Sequence, residues 1–153
     1  MAWWDRLGFG KRVDRATAVL PQTATLNIFT IVGGRVLMTA LVGELTEAIG
    51  AVANNTKFTT TPGSGTARDI CAVEDIQSYQ IGDLLGITGI NTDAMIPPAP
   101  GYGSIEGMTV PVVLKAGVLT LDCAGNTAVG KAKWTMHYVT IDDGAYVEAV
   151  AIP

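Results

Sequence analysis

The stretch that decides the fold is PVVLKAGVLTLDCAGNTAVGKAKWTMHYVTI, residues 111–141. Within it, residues 117–123 alternate between apolar and polar side chains, which is the period-two pattern of a β-strand with one buried face. Three apolar members of this strand, Leu119, Leu121 and Cys123, are predicted to face the core. The stretch therefore indicates a half-buried sheet.

A second strand is predicted over residues 131–140, where the alternation returns after a turn at Gly125-Asn126. Its inward face carries four residues: Ala132, Trp134, Met136 and Tyr138. Its outward face carries four polar ones: Lys131, Lys133, Thr135 and His137. Because a short connection separates the two strands, we expect them to pair as a β-hairpin. The outward row is interpreted as plain surface, either solvated or in contact with a neighbour.

The rest of the chain repeats this organisation. Residues 23–32 and 35–42 are rich in strand-forming side chains and flank Gly33-Gly34, which predicts another hairpin. One face of the first of these strands is predicted to carry Ala24, Leu26, Ile28 and Val32. About eight or nine strands fit into the domain at residues 23–153. The sequence thus predicts an all-β fold, an antiparallel β-sandwich that is jelly-roll-like, with an immunoglobulin-like sandwich as the alternative.

Residues 1–22 are predicted to form an extended N-terminal arm. Gly8 and Gly10 interrupt any helix, so no packed element is expected there. The arm combines aromatic residues with cations, which are the residue types that anchor protein interfaces. The predicted partner-binding residues are Trp3, Trp4, Arg6, Phe9, Lys11, Arg12 and Arg15. A frayed terminus is the alternative, but the two adjacent tryptophans favour an anchor.

The charge distribution argues against nucleic-acid binding. Residues 1–16 carry a net charge of +2, which leaves −6 for the rest of the chain. An acidic body lacks the concentrated basic footprint of nucleic-acid-binding proteins, whereas a basic tip can meet an acidic protein surface. Charged residues make up only 16% of the chain, so we expect exposed apolar area of the kind found at assembly interfaces. No signal peptide is predicted, because the N-terminus lacks a continuous apolar region, and no membrane span is predicted, because Gly-Gly-Arg at residues 33–35 breaks the apolar run 26–42.

No catalytic, cofactor-binding or metal-binding constellation is expected. His137 is the only histidine, and its outward position separates it from the inward Cys123, so a Cys–His pair is not predicted. Cys71 and Cys123 lack CxxC spacing and are expected to be reduced, buried thiols. Two pairs of adjacent carboxylates, at residues 74–75 and 142–143, lie at predicted turns, where such side chains serve local hydrogen bonding. The sequence therefore predicts a protein that is not an enzyme.

Three segments resemble a group of small structural proteins of tailed bacteriophages. They are LPQT at residues 20–23, GGRVLMTALVGELT at 33–46 and VVLKAGVLTLDCAGNTAVGKAKWTMHYVTIDDGAYV at 112–147. The pattern that carries the likeness is a GGRV turn, a strand ending in Asp-Cys, an Asn-Thr turn, and a Lys-Trp-Thr strand with a tyrosine. The resemblance spans most of the body and does not include residues 1–16.

This resemblance implies a decoration or cement protein on the exterior of a capsid, made in the host cytoplasm. The implied partners are the major capsid protein and copies of the chain itself, with no nucleic acid and no membrane. Two alternatives stay open: a tail or baseplate structural protein, and a carbohydrate- or receptor-binding sandwich. The last alternative requires exposed aromatic residues beside Asp or Asn at a loop end, for which Tyr102 and Tyr146 are the candidates.

Overall fold

The computed structural model describes residues 9–126 and 129–152. These residues contain eleven β-strands and no helix, and so no helix that could cross a membrane. The strands are β1 (Lys11–Val19), β2 (Ala24–Val32), β3 (Val36–Glu47), β4 (Asn55–Pro62), β5 (Arg68–Asp69), β6 (Glu74–Asp75), β7 (Leu84–Gly86), β8 (Val112–Leu114), β9 (Gly117–Cys123), β10 (Lys131–Thr140) and β11 (Tyr146–Ala149).

The strands form two antiparallel sheets that enclose the core. The first sheet has the order β1-β10-β3-β7, with β8 also paired to β3, and the second has the order β11-β2-β9-β4-β5, with β6 also paired to β4. Four nested pairs run through the two sheets: β1 with β10, β2 with β9, β3 with β7, and β4 with β5. Nested pairing of this kind, from the ends of the chain towards its middle, is the winding of a jelly roll. The expected jelly-roll-like sandwich is confirmed.

Both predicted hairpins are wrong, although their strands exist. β9 lies in the second sheet and β10 in the first, and β2 and β3 are divided between the sheets in the same way. Each connection therefore carries the chain to the facing sheet. The alternating pattern shows which side of a strand is buried, but it does not show which sheet the strand joins. A strand in the facing sheet has the same inward pattern as a hydrogen-bonded neighbour in the same sheet.

β2 departs from simple alternation at a bulge. Its register with β9 shifts between Asn27 and Phe29. The predicted inward face is right for Leu26 and Ile28, which contact the core, but beyond the bulge Phe29 and Ile31 turn inward. An extra residue in one strand exchanges the inward and outward positions of all the residues after it. No residue type in this segment indicates the position of the bulge.

Residues 11–19 form strand β1 instead of part of a free arm. β1 is an edge strand of the first sheet and pairs with β10 along its length, with a bulge between Arg15 and Ala18. The expectation that residues 1–22 hold no packed element is therefore wrong for this segment. Only Arg15 and Ala18 of β1 are buried, so backbone pairing with β10, which leaves no apolar pattern in the sequence, holds the strand in place.

The core is organised around Trp134. Its ring packs edge-on against Phe58 of the facing sheet, with ring centroids 5.0 Å apart. Gly43 lies opposite Trp134 on β3, where an added Cβ would be 2.3 Å from the indole, so a side chain at this position would displace the ring. The six residues that the sequence places on the inward faces are all buried: Leu119, Leu121, Cys123, Trp134, Met136 and Tyr138.

One ion pair joins the β2–β3 crossover to the turn after β10. The Nε and Nη2 atoms of Arg35 donate to the carboxylate of Asp142 over 2.6–3.2 Å, and the Arg35 backbone N–H adds a bond of 2.7 Å. These hydrogen bonds lower the pKa of Asp142 to about 2. Asp142, one of the two carboxylates of the predicted turn, thus has a structural role, in a contact with a residue 107 positions away in sequence.

Replacing Trp134 with Ala is expected to reduce the free energy of unfolding by about 3–5 kcal/mol, because it leaves a cavity between the sheets. Equilibrium unfolding in urea measures this loss. The neighbouring Lys133→Ala is the matched control, since Lys133 faces outward and forms a half-exposed ion pair, for which about 0–1 kcal/mol is expected. Equal losses in the two variants would contradict the inward register of β10.

Candidate functional site

The outer face of the first sheet carries an exposed apolar row. Leu37, Val113 and Val139 point outward, because each has a buried residue next to it on its strand, β3, β8 or β10. The three lie side by side, with Val139 opposite Leu37 and Leu37 opposite Val113. Val113 is 54% exposed and Val139 is 40% exposed. The row therefore crosses three strands without a polar side chain between them.

Phe9 borders this row at the point where the chain enters the body. Its backbone carbonyl accepts a 2.6 Å hydrogen bond from Thr39 Oγ1, and its ring centroid lies 6.0 Å from that of His137. Gly10 follows with a φ of +83°, and a Cβ there would lie 2.1 Å from the Tyr138 carbonyl oxygen, so this close approach requires glycine. Phe9 itself is 57% exposed.

We refer to Phe9, Leu37, Val113 and Val139 together as the apolar patch. The first described residue of the chain, Phe9, belongs to this patch. Of the predicted anchor residues, Trp3, Trp4 and Arg6 lie outside the described residues, and Phe9 is the one that reaches the patch. Lys11 and Arg12 are exposed on β1, whereas Arg15 of the same strand is buried on its inner side. The structure therefore does not bring the described anchor residues together at a single surface.

The other end of the same sheet face carries two lysines, and each forms an ion pair with a glutamate. Lys131 pairs with Glu47 at 2.8 Å, and Lys133 pairs with Glu44 at 3.0 Å, both as direct cross-strand neighbours of β10 and β3. Among the described residues, the predicted outward row of β10 therefore has partners within the chain. The face is divided into an apolar end and a paired, nearly neutral end.

Asp14 links the edge strand β1 to β10. It accepts a 2.6 Å hydrogen bond from Thr135 Oγ1 and forms a 2.9 Å ion pair with Arg12. Burial raises the pKa of Asp14, but the hydrogen bonds from Thr135 and Arg12 outweigh it, so the pKa lies below its ordinary value. Arg12, a predicted anchor, is thus engaged on its own strand.

Arg15, another predicted anchor, is 3% exposed on the inner side of β1. Its Nε and Nη2 atoms are buried and have no hydrogen-bond partner within the part of the chain that the structure describes. Burial lowers the pKa of its guanidinium. The nearby cations Arg12 and Lys133 are each paired with a carboxylate, whereas Arg15 has no such partner among the described residues.

The two thiols are placed where nucleophilic chemistry is unfavourable. Cys71 and Cys123 are free and buried, and burial raises the pKa of each to about 11. His137 lies on the outer face of the first sheet, whereas Cys123 faces the core from the second sheet, so the two do not form a pair. Within residues 9–126 and 129–152, no group of three or more His, Cys, Asp or Glu side chains could hold a metal ion.

The carboxylate pair at residues 74–75 is engaged in local structure. Asp75 accepts hydrogen bonds from the backbone N–H groups of Asn54 and Gln77, at 2.8 and 3.0 Å. Burial raises the pKa of Glu74, whose carboxylate accepts a 3.5 Å hydrogen bond from the Tyr79 hydroxyl. The two residues form β6 and pair with the first residues of β4, so they lie in a short strand and not at the predicted turn.

A cleft of about 390 Å³ lies along the proline-rich loop before β8. Its lining includes Pro97, Tyr102, Ser104 and Glu106. Tyr102 is 40% exposed, and Asp83 accepts a 3.1 Å hydrogen bond from the Gly101 backbone N–H, which fixes the loop. The other aromatic candidate, Tyr146 on β11, does not line this cleft.

Comparisons with known proteins identify no family. No family model matches the chain, and no curated protein matches it. One solved structure, that of the infectious bursal disease virus Gx strain, is 14% identical over 90% of this chain, with a TM-score of 0.18. The chain spans 33% of the length of that viral chain. The fold and the candidate site therefore rest on the residues of this chain.

The apolar patch was missed by the sequence prediction except at Phe9. One signal was present: Val139 continues the outward parity of residues 131–137 and is the apolar member of that row. Leu37 and Val113 gave no such signal, because they stand in unbroken apolar runs in which inward and outward positions look alike.

We expect neither Cys71 nor Cys123 to react with Ellman's reagent in the folded protein at about pH 8, since a thiol with a pKa near 11 is roughly 0.1% thiolate there. Both should react after unfolding in guanidinium chloride. Val52→Cys, which places a thiol at a 51% exposed position, is the positive control. Labelling of a native cysteine as fast as the introduced one would overturn the assignment of buried, inert thiols.

Proposed function

We propose that this chain is a virion structural protein of the decoration or cement type, which binds the assembled major capsid protein of a tailed bacteriophage from outside. The apolar patch carries the proposal. It is an exposed apolar area on a sheet face, and the sequence that precedes Phe9 contains Trp3 and Trp4. A flat apolar face with an adjoining aromatic segment suits attachment to a protein lattice.

The charges on the first sheet favour a protein partner over nucleic acid or membrane. Both lysines of the outward row are neutralised by glutamates of β3, and the chain as a whole has a net charge of −4. A phosphate backbone or an anionic lipid surface attracts proteins through clustered, unpaired cations. The outer face of the first sheet offers no such cluster among its described residues, which supports contact with another protein.

The mechanism of such a protein is mass action. Copies that bind only the assembled shell lower its free energy relative to the unassembled or unexpanded state, and so stabilise it. The sheet face and the N-terminal segment are joined at Phe9, so binding of one raises the effective concentration of the other. Neighbouring copies of the chain are the second proposed partner. The proposed role involves no catalysis and no cofactor.

Placing a charge in the apolar patch should weaken attachment to the shell. We expect Val113→Asp and Val139→Asp each to reduce the affinity for purified expanded capsids by at least about tenfold, because each buries a carboxylate where a valine packed. Removal of residues 2–8 should have a similar effect if Trp3 and Trp4 are anchors. Cosedimentation with the capsids measures the bound fraction at increasing protein concentration.

Val52→Asp is the matched control, because it introduces the same charge at a valine of similar exposure outside the patch. Urea unfolding of each variant confirms that the body is intact. Unchanged binding by Val113→Asp and Val139→Asp, or no binding by the unaltered protein, would sink the proposal. Electron microscopy of labelled virions locates the protein, and label on the tail would favour the tail or baseplate alternative.

A second candidate function, recognition of a carbohydrate receptor, is favoured by the cleft at Tyr102. An exposed aromatic ring beside a carboxylate, here Glu106, is a common arrangement for stacking and hydrogen bonding a sugar ring. Under this candidate, Tyr102→Ala should abolish binding to glycans on an array. The control is Tyr146→Ala, since Tyr146 is equally exposed on β11 outside the cleft. Absence of glycan binding by the unaltered protein would exclude it.

A further inference from the structure

The guanidinium of Arg15 is a buried charge without a partner among the described residues. The residue is 3% exposed, and its Nε and Nη2 atoms have no hydrogen-bond acceptor there. An unpaired buried charge opposes folding strongly, so its presence in a core position calls for a compensating contact. Replacement by an apolar residue of similar size would otherwise favour the folded state.

The two atoms that lack acceptors form one edge of the guanidinium. Nε–H and Nη2–H point in parallel, and together they match the two oxygens of a carboxylate. The chain uses the same edge elsewhere, since Nε and Nη2 of Arg35 donate to the carboxylate of Asp142. In Arg15 the corresponding edge is buried and has no hydrogen-bond acceptor within the described residues.

A cleft of about 310 Å³ adjoins Arg15 at the bulge of β1. Arg15 lines it together with Thr17, Lys133 and Trp134. The bulge interrupts the pairing of an edge strand, which is where a sheet can most readily admit a group from outside. The other cations of the cleft already have partners, Arg12 with Asp14 and Lys133 with Glu44.

We propose that Arg15 and this cleft form a site for a carboxylate group, supplied by an Asp or Glu side chain of a partner protein that contacts the β1 edge. The site follows from the geometry of Arg15 and does not depend on the proposed function. Only the identity of the partner that supplies the carboxylate rests on the proposed function. If the chain decorates a shell, the shell protein supplies this side chain.

The observations favour a carboxylate over a phosphate. Asp14 also lines the cleft, and a dianionic phosphate would be repelled by it more strongly than a singly charged carboxylate. A carboxylate is planar and needs two parallel donors, which the Nε/Nη2 edge provides. Insertion from the edge of the sheet requires a small group on a side chain, which suits Asp or Glu.

The site is tested by titrating the isolated, ¹⁵N-labelled protein with sodium acetate, using sodium chloride at equal ionic strength as the reference. The Arg15 Nε–H resonance should shift with acetate and not with chloride, while the Arg35 resonance, already paired with Asp142, should stay unchanged. The thermal midpoint should rise with acetate in the unaltered protein and in Arg68→Met, a control for the loss of one exposed cation. Arg15→Met should lose the acetate-dependent rise.

Equal effects of acetate and chloride on the Arg15 resonance would overturn the proposal, and this measurement needs no variant to fold. A larger shift with inorganic phosphate than with acetate would overturn the assignment to a carboxylate. The source is tested separately with capsids: at least tenfold weaker binding by Arg15→Met supports a shell carboxylate, and unchanged binding excludes it. Failure of the unaltered protein to bind capsids would leave the acetate result standing.

Discussion

The indole of Trp134 occupies the space between the two sheets, where it packs edge-on against Phe58 and over Gly43. These three residues come from β10, β4 and β3, so one contact fixes two neighbouring strands and the sheet opposite them. Gly43 leaves room for this ring beside β3, since a side chain there would overlap the indole. The outward faces of β3 and β10 are positioned as a consequence, because side chains alternate along each strand.

The winding of the jelly roll then determines what lies on the outer face of the first sheet. Pairing of β1 with β10 brings the N-terminal strand to the edge of this sheet, with Gly10 against Val139 and Phe9 beside His137. Pairing of β8 with β3 brings Val113 to the same face from a distant part of the chain. The apolar patch exists because strands from the start, middle and end of the sequence meet in one sheet.

The first sheet thus offers two chemically different contacts, and both suit a protein partner. The apolar patch exposes area that can be buried against a complementary surface, whereas the proposed Arg15 site would bind a carboxylate at the edge of the sheet. Apolar burial supplies affinity without fixing orientation, and a bidentate arginine supplies orientation. Lys131 and Lys133, which lie beyond Arg15 at the other end of β10, are paired with glutamates and so add no concentrated positive charge to this face.

By itself, the sequence determined the all-β class, the sandwich and the inward faces of β9 and β10, because burial leaves a period-two pattern in the residues that experience it. It also predicted that Cys71 and Cys123 are buried and that Cys123 points inward while His137 points outward. Only the tertiary structure decided which strands pair, that residues 11–19 belong to a sheet, and which apolar side chains stay exposed. Backbone pairing is made by groups that every residue shares, so it leaves no mark on side-chain identity, and the partner of a strand and the surface it builds emerge only when the chain is folded.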